Sequence, residues 1–356
     1  MFFAFTTFAF THQAARAPRA AWGNLRLKRM ASSLSDFFRL LGAFNAQVFS
    51  LHPPREESER IEGLDLHVYG YSAVLVFVIV QTVNRLLLFP LAARVLPKKN
   101  RAKTIPKFVP SATEAYMYSF FFYASLRVLY TQPWIWPSRM WWEGKQHSAS
   151  HLMVTPSVKF MYQLYGGRYV SNLVHVLIEP RKKDFVEMVL HHATTALLCP
   201  LSYSYGYVRV GAAVMLLLDP ADPPLHIAKL CRYMAGGNNS SGWQTICDHM
   251  FNLFGVTFVV TRNVMYPYIV WSAWVEAKRY IDNRGDPTAI FGVYMLDEFI
   301  AILLLTVLLF LQYFWLYLII KVALKPNAHD NRESSDEEGA DKEKSPIARK
   351  KVKKQQ

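Results

Sequence analysis

The chain has 356 residues, 52% of them hydrophobic and 15% aromatic, and its formal net charge is +14. Its apolar residues form blocks of roughly 20 residues, long enough to cross a bilayer, rather than the scattered periodic pattern of a soluble domain. The basic excess is divided among short loops and termini and accompanies no nucleic-acid-binding motif, which argues against nucleic acid as a partner. We therefore predict an integral membrane protein whose positive charges orient its loops and contact anionic lipids.

The first 67 residues precede the first apolar block. Residues 1–35 contain several arginines and no acidic residue, which is typical of a targeting leader and equally of a disordered extension ahead of Met30. Pro53 and Pro54 lie in a polar stretch that reads as a linker. We therefore assign residues 1–67 to an N-terminal leader and linker.

Seven apolar blocks follow, and each is long enough for a transmembrane helix. They cover approximately residues 68–96, 114–130, 157–178, 185–203, 207–227, 250–275 and 299–320. The tail 326–356 is polar and low in aromatic residues, so we expect it to be disordered. The predicted fold is all-α, a polytopic membrane protein with about seven transmembrane helices.

Loop charges predict the orientation. Basic residues crowd the first loop and again the third, where Arg181, Lys182 and Lys183 are consecutive. The positive-inside rule places both loops, and with seven spans the C-terminus, in the cytosol. Lys353 and Lys354 then match a di-lysine retrieval signal, which predicts the endoplasmic reticulum membrane. The same topology puts the glycosylation sequon at Asn238 in the cytosol, unmodified.

Ionisable residues inside the fourth and fifth blocks mark a candidate site. His191 and His192 are adjacent in the fourth block, and Asp219 and Asp222 lie in the fifth. Such groups cost about 2.5 kcal/mol or more at membrane depth and usually face a polar cavity or a partner. His191 and Asp222 each lie seven residues, or about 10 Å, from the predicted cytosolic face, so we expect them to face each other across antiparallel helices.

Prolines interrupt the fifth block at Pro220, Pro223 and Pro224. Each removes a backbone donor and clashes with the preceding turn. We therefore expect a kink or an unwound segment with freed carbonyl groups, which are tolerated only beside a cavity or packed protein. Arg262, in the sixth block, should either have an acidic partner, which the sequence does not identify, or reach toward the lipid headgroups.

Other interpretations of the histidines stay open. A membrane histidine is often only a packed, hydrogen-bonded residue. His147 and His151 have a spacing that suits a metal site, but the topology places them on the opposite side from His191, and we expect neither a metal nor another cofactor. The cysteines Cys199, Cys231 and Cys247 lack metal-ligand spacing, so we expect free thiols. A transporter is disfavoured because the spans show no inverted repeat.

Two stretches carry a family resemblance. "RKKDFVEMVLHHATT" (181–195) and "RVGAAVMLLLDPADPPLHIAKL" (209–230) resemble the signature of the ceramide synthases, within the larger TLC-domain group. The resemblance covers residues 107–325, after a first transmembrane helix at 68–96, and is closer to fungal-type members. The sequence departs from many members at Leu218, where they have histidine, and in its three prolines.

The resemblance implies a sphingoid-base N-acyltransferase that uses a fatty acyl-CoA as co-substrate in the endoplasmic reticulum. Six of its helices would form a barrel around a central cavity. The family's catalytic residues match His191, His192, Asp219 and Asp222. The basic turn 181–183 is placed to bind the phosphates of CoA, although membrane orientation explains its charge equally well. A non-catalytic TLC-domain lipid sensor or translocation accessory protein is the alternative, and homo- or hetero-oligomers stay open.

Overall fold

The computed structural model describes residues 19–61, 66–98, 101–143, 153–178, 184–238, 240–281 and 287–324. These ranges are mostly helical, which confirms the predicted helical class. Two short strands, β1 (Glu59–Arg60) and β2 (Met153–Val154), pair antiparallel with Glu59 opposite Val154. The proposed phosphate-binding residues Arg181, Lys182 and Lys183 lie outside the described residues, as do His147, His151 and the tail.

Twelve α-helices are described, several of them joined end to end by a π-helical or 3₁₀ turn. In chain order they are α1 (Arg19–Phe49), α2 (Leu66–Val83), α3 (Phe89–Val95), α4 (Arg101–Leu129), α5 (Pro156–Ile178), α6 (Phe185–Ser204), α7 (Val208–Leu218), α8 (Asp222–Ala235), α9 (Gly242–Phe258), α10 (Tyr266–Trp271), α11 (Ala277–Tyr280) and α12 (Leu296–Ala323).

Three continuous helical stretches are long and apolar enough to cross a membrane, judged by length and composition within the described ranges. They are His67–Val95, Gly242–Tyr280 and Leu296–Lys321. The other four predicted spans also form helices, α4 to α8, but polar and charged residues interrupt their apolar runs. The protein therefore has the character of a multi-pass membrane protein, while the count of seven spans stays a prediction.

Helix α1 was not expected from the sequence as a single long element. It begins at Arg19, inside the stretch interpreted as a leader or a disordered extension, and runs without a break to Phe49. Phe37 and Phe44 on this helix both pack against Phe160 of α5. Alanine, leucine and arginine, all good helix formers, are frequent in its sequence. The part of α1 that carries Phe37 and Phe44 therefore packs against α5. The assignment of residues 1–67 to a leader and linker stays a prediction, and residues 1–18 lie outside the described part.

An ion-pair cluster fixes the polar segment that follows α1. Arg39 donates to both carboxylate oxygens of Glu59, at 3.0 and 3.2 Å, and Lys159 of α5 lies 3.0 Å from the same carboxylate. Partial burial raises the pKa of Glu59, but the hydrogen bonds from Arg39 and Lys159 outweigh it and hold this pKa below its usual range. The stretch predicted as a linker is thus held against α1 and α5.

Two apolar cores flank the middle of the chain. One joins α1, α2, α4 and α5 around side chains such as Phe44, Phe160 and Tyr165. The other joins α7 and α9 to α12 around Tyr266, Ile269 and Leu308, all at most 3% exposed. Helices α6 and α7 contribute to both cores, so the residues predicted for the site lie where the two cores meet.

A tight turn and a helix break position these two helices. Residues 205–207 reverse the chain between α6 and α7, and Gly206 takes a φ of 77°, a backbone conformation that favours glycine. After Leu218, a 3₁₀ turn, Asp219–Ala221, separates α7 from α8. The short reversal and the interruption at the prolines both confirm the sequence predictions.

Candidate active site

The two histidines are adjacent on α6 but face different neighbours. The rings of His191 and His192 lie 5.1 Å apart at 67°, and His191 also packs edge-on against Trp315 of α12 at 5.0 Å. His192 is 8% exposed, whereas His191 is partly exposed. One turn further, the hydroxyl of Thr195 donates to the carbonyl oxygens of both histidines at 3.1 Å. This bond fixes the backbone that carries the imidazoles.

Asp219 is held by a tyrosine from α5. The hydroxyl of Tyr165 donates to Asp219 Oδ2 at 2.5 Å, and the same hydroxyl is 2.7 Å from Ser125 Oγ. Asp219 is 5% exposed and Tyr165 is fully buried. A carboxylate at this depth needs such donors, because burying a charge without hydrogen bonds is costly.

Asp222 supplies the acidic partner that the sequence could not assign to Arg262. Arg262 Nη2 donates to Asp222 Oδ2 and, at 2.7 Å, to the carbonyl oxygen of Leu218. In an unbroken α-helix that carbonyl would accept from the amide of Asp222, but here the amide bonds Asp219 instead. The 3₁₀ turn thus frees a carbonyl, as the prolines predicted, and the guanidinium satisfies it.

The predicted contact between His191 and Asp222 stays a prediction. The structure gives Asp222 a bond to Arg262 and gives His191 ring contacts with His192 and Trp315. A carboxylate has two oxygens that accept hydrogen bonds, so a bond to Arg262 through Oδ2 is compatible with a second bond to an imidazole.

A second buried arginine, Arg168 of α5, was missed. It is 2% exposed and lies 3.5 Å from Glu114 of α4. Its positive charge acts on Asp219 and on His192. The signal was available, because Arg168 lies inside the third apolar block, where an ionisable residue marks a functional position. The neighbours of Arg168 could not be predicted, because Glu114 and Asp219 lie on other helices that are distant in the sequence.

The ionisable residues form one cluster rather than two. Asp219 is within electrostatic reach of Arg168, Asp222 and Arg262, and Glu114 is within reach of Arg168 and Asp222. Among the described residues, no three His, Cys, Asp or Glu side chains are grouped so that they could hold a metal ion. The cluster presents acids, cations and an imidazole to one another, which suits proton transfer and the binding of polar groups.

An apolar cavity begins beside this cluster. At one end it is lined by Tyr169, Thr195 and Leu218, and at the other by Trp142 and Tyr207. Its walls are largely apolar, come mainly from α5, α6, α7 and α12, and include one acid, Glu298. Between Leu218 and Tyr207, α7 rises about 16 Å at 1.5 Å per residue. The lining of this slot therefore has the polarity that suits a hydrocarbon chain.

Comparison with known proteins assigns the family. The family model described as the TLC domain matches residues 107–321. The chain belongs to the TLC-domain family. Ceramide synthase 4 of Bos taurus is 32% identical over 215 residues, which cover 60% of this chain and 49% of the relative. Alternaria stem canker resistance protein 1 of Solanum lycopersicum is 31% identical over 232 residues, which cover 63% of this chain and 70% of the relative.

A plant relative extends the match slightly further. Ceramide synthase LOH1 of Arabidopsis thaliana is 29% identical over 249 residues, covering 69% of this chain and 76% of the relative. The chain spans about half the length of the ceramide synthase 4 proteins from cattle and human, 49% and 52%. Both histidines, both aspartates, Arg168 and Arg262 lie within the TLC domain, whereas α1 to α3 precede it.

Proposed function

We propose that this protein is a sphingoid-base N-acyltransferase, a ceramide synthase that transfers a fatty acyl group from acyl-CoA to the amine of a long-chain base. The family membership and the names of the relatives support this assignment. The observation that carries it is the position of the cavity. Thr195, one turn from His191 and His192, and Leu218, next to Asp219, both line one end of the apolar slot. A chain in that slot would place its polar end at the cluster.

The chemistry requires a neutral amine, although a sphingoid amine is mostly protonated in water. Desolvation in the cavity favours the neutral form. The amine nitrogen attacks the thioester carbon, the carbon–sulfur bond breaks, and CoA leaves as a thiolate. His191 takes the proton that the amine loses and returns it to the departing sulfur. In the covalent version, His191 first accepts the acyl group as an acyl-imidazole and then passes it to the amine.

The remaining residues support that step. Asp222 would orient the imidazole of His191 and stabilise its cationic form, as carboxylates do in acyl-transfer triads. His192 would polarise the carbonyl of the substrate. The basic residues Arg181, Lys182 and Lys183 would bind the CoA phosphates at the cytosolic mouth, because guanidinium and ammonium groups pair readily with phosphate.

The membrane arrangement is part of the proposal. Seven transmembrane helices, six of them in a barrel around the slot, place the C-terminus in the cytosol and the protein in the endoplasmic reticulum, where Lys353 and Lys354 would serve as the retrieval signal. The test is glycosylation of the full-length protein in microsomes. Sugar on Asn238 would contradict this orientation, and its absence there, with an introduced C-terminal sequon also bare, would agree with it.

The activity is tested with the purified full-length protein in detergent or liposomes. Supplied with acyl-CoA and sphinganine, it should form the corresponding ceramide, measured by mass spectrometry, and His191→Ala should abolish this product. His249→Ala is the matched control, because it removes an imidazole of α9 outside the cluster. A wild-type protein that binds either lipid without forming ceramide would favour the lipid sensor or translocation accessory protein. Near-normal turnover by His191→Ala would refute the site assignment.

Intact-mass measurement separates the two mechanisms. Incubation with acyl-CoA alone should add one acyl group to the wild-type protein if His191 is acylated, and nothing to His191→Ala. An unmodified wild-type mass in a preparation that makes ceramide would establish direct attack.

A further inference from the structure

We propose that Arg168 forms a binding site for a hydroxyl group of the long-chain base, an inference that rests on the proposed acyltransferase function. Sphingoid bases carry their hydroxyl groups on the carbons that flank the amine-bearing carbon. A residue that binds such a hydroxyl must therefore lie beside the catalytic groups without being one of them. Arg168 meets this condition.

Arg168 is enclosed by protein. Its guanidinium carbon lies 4.0 Å from the ring centre of Tyr118 and 4.6 Å from that of Phe121. Its carboxylate neighbour Glu114 is 3.5 Å away, too far for a good hydrogen bond. The rings and the acid stabilise the charge, but they leave the two terminal nitrogens, Nη1 and Nη2, without a hydrogen-bond acceptor.

The terminal nitrogens are the unusual feature. Within the part of the chain that the structure describes, neither Nη1 nor Nη2 of Arg168 donates a hydrogen bond, and both atoms are buried. Buried polar groups in native proteins nearly always have partners, because leaving them unsatisfied costs free energy. Arg262, by contrast, uses Nη2 on both Asp222 and Leu218. Arg168 therefore has two buried terminal nitrogens that are available to donate hydrogen bonds to a ligand.

Two neighbours of Arg168 are accessible. The side chain of Glu114 is 34% exposed, and Tyr118, whose ring faces the guanidinium, is partly exposed. Tyr169, the residue after Arg168, lines the apolar slot, so Arg168 lies close to the proposed acyl site.

Charge restricts the ligand to a neutral oxygen. Guanidinium is a donor only, so its ligand must supply acceptors. Glu114 is already 3.5 Å away, and Asp219 is within electrostatic reach. Two neighbouring carboxylates repel a phosphate or a carboxylate, which excludes the CoA phosphates from this position. A hydroxyl oxygen brings no charge and accepts from the guanidinium.

The position of Arg168 favours the base over the acyl group. Its charge reaches His192 and Asp219, but no ring or hydrogen-bond contact is described between Arg168 and either histidine. The reacting carbonyl must touch the catalytic imidazole, whereas a hydroxyl on the next carbon of the base is displaced from it. Arg168 is therefore a substrate-binding residue for the head of the base.

The experiment compares two amines on two proteins. Sphinganine carries both hydroxyls, and 2-aminooctadecane is an amine of equal length that carries neither. The wild-type protein should acylate sphinganine with a kcat/KM about 10- to 100-fold higher, because a hydrogen bond to a charged donor is lost with the second amine. Arg168→Met should lower this ratio to less than about threefold, mainly through the KM for sphinganine, and Arg168→Lys should retain part of it.

Three outcomes would overturn the inference. Equal kcat/KM values for the two amines with the wild-type protein would show that no site recognises the hydroxyl groups, regardless of the ratio measured for Arg168→Met. An unchanged ratio in Arg168→Met, with both rates lowered equally, would mean that Arg168 is structural. If Arg168→Met does not fold, an unchanged ratio in Arg168→Lys decides against the site.

Failure of the proposed function looks different. A wild-type protein that acylates neither amine refutes the acyltransferase assignment itself. Arg209→Met is the matched control for losing an arginine. Arg209 lies on α7, where it donates to the carbonyl oxygen of Met140 at 2.9 Å, and its loss should leave the ratio between the two amines at the wild-type value.

Discussion

Two buried arginines face the same cluster of acids and are used differently. Arg262 donates through Nη2 to the carboxylate of Asp222 and to the carbonyl of Leu218, although its buried Nε donates no hydrogen bond to a described residue. Arg168 lies near Glu114 and Asp219, yet neither of its terminal nitrogens donates a hydrogen bond to a described residue. The comparison teaches that burial alone does not define a role. A guanidinium whose terminal nitrogen binds acceptors of the protein stabilises the fold, whereas one whose two terminal nitrogens donate no hydrogen bond is available to a ligand.

The local backbone explains the first arrangement. Arg262 lies in a π-helical turn, Val259–Met265, which precedes Pro267. A proline inside a helix cannot donate to the carbonyl four residues earlier and clashes with it, and a π turn accommodates this. Opposite, the 3₁₀ turn at Asp219–Ala221 frees the carbonyl of Leu218. The π-helical turn and the 3₁₀ turn, each next to a proline, therefore lie opposite each other, and the guanidinium of Arg262 connects them through its hydrogen bond to Leu218.

The largest effect should come from Arg262→Met. Removing one partner of a buried ion pair leaves the charge of Asp222 uncompensated, and we expect the free energy of unfolding in detergent to fall by about 3–5 kcal/mol. Arg168→Met also removes an ion-pair partner, that of Glu114, but it should cost less, because this pair is longer, at 3.5 Å, and Glu114 is 34% exposed. Denaturant unfolding of both variants measures the difference.

A second variant tests the explanation of that effect. Arg262→Met combined with Asp222→Leu should recover part of the lost stability, because the unpaired carboxylate is then gone. If Arg168→Met proves as destabilising as Arg262→Met, the distinction between the two arginines fails.

A smaller effect is expected from Tyr165→Phe, which acts on the acid beside Arg168. The variant removes the hydrogen bond to Asp219 and keeps the packing of the ring. A hydrogen bond to a charged group contributes about 1.5–3 kcal/mol. If Asp219 serves catalysis, kcat for ceramide formation should fall about 10- to 100-fold, measured at saturating substrate.

Tyr266→Phe is the matched control for this substitution. Tyr266 is also fully buried, but its hydroxyl donates to the carbonyl oxygen of Leu305 at 2.9 Å, in the core of α10 and α12. It should lose some stability and keep its kcat. A normal kcat in Tyr165→Phe would remove Asp219 from the catalytic set.

The smallest effect belongs to a third arginine–acid pair, at the surface. Arg39 and Glu59 are 48% and 29% exposed, so solvent limits their contribution to under about 1 kcal/mol. The pKa of Glu59 is lowered in the folded protein. Its contribution is therefore present above the unfolded pKa, near 4.3, and is lost as the pH falls through the lower folded value. Glu59→Gln should destabilise the protein slightly at pH 7, and progressively less as the pH falls through the lowered pKa of Glu59.

Unfolding curves between pH 7 and pH 3 measure this dependence. Glu57→Gln is the control, because Glu57 is an exposed acid of the same segment. A difference between wild type and Glu59→Gln that is as large at pH 3 as at pH 7 would show that Glu59 acts through packing rather than charge.

Local features of the site could be predicted from the sequence. Adjacent histidines and a pair of aspartates on consecutive helices are visible as polar residues within apolar blocks. The reversal near Gly206 and the break at Pro220 follow from local backbone rules, and both are present in the structure. These features depend on residues that are near each other in the chain, so pattern and spacing suffice.

Contacts between distant helices could not be predicted in this way. Tyr165 and Asp219, or Asp222 and Arg262, are separated by 54 and 40 positions in the chain. Which helices become neighbours depends on how the two cores pack, and the apolar blocks alone fit many arrangements. Helix α1 could not be predicted as one element for another reason, since residues 1–35, which overlap its first half, are acid-free and arginine-rich, a composition that also suits a transit peptide. The span count stays open because α4 to α8 carry too many polar residues for length and hydropathy to decide it.

Arg262 donates a hydrogen bond to the backbone carbonyl of Leu218, whereas the side chain of Leu218 lines the acyl slot. A carbonyl group is present whatever residue is encoded there. Evolution can therefore replace Leu218, and so remodel the wall that a lipid meets, without disturbing the arginine behind it. Because the helix is broken here, the side chain of residue 218 can change while its backbone carbonyl continues to bind Arg262.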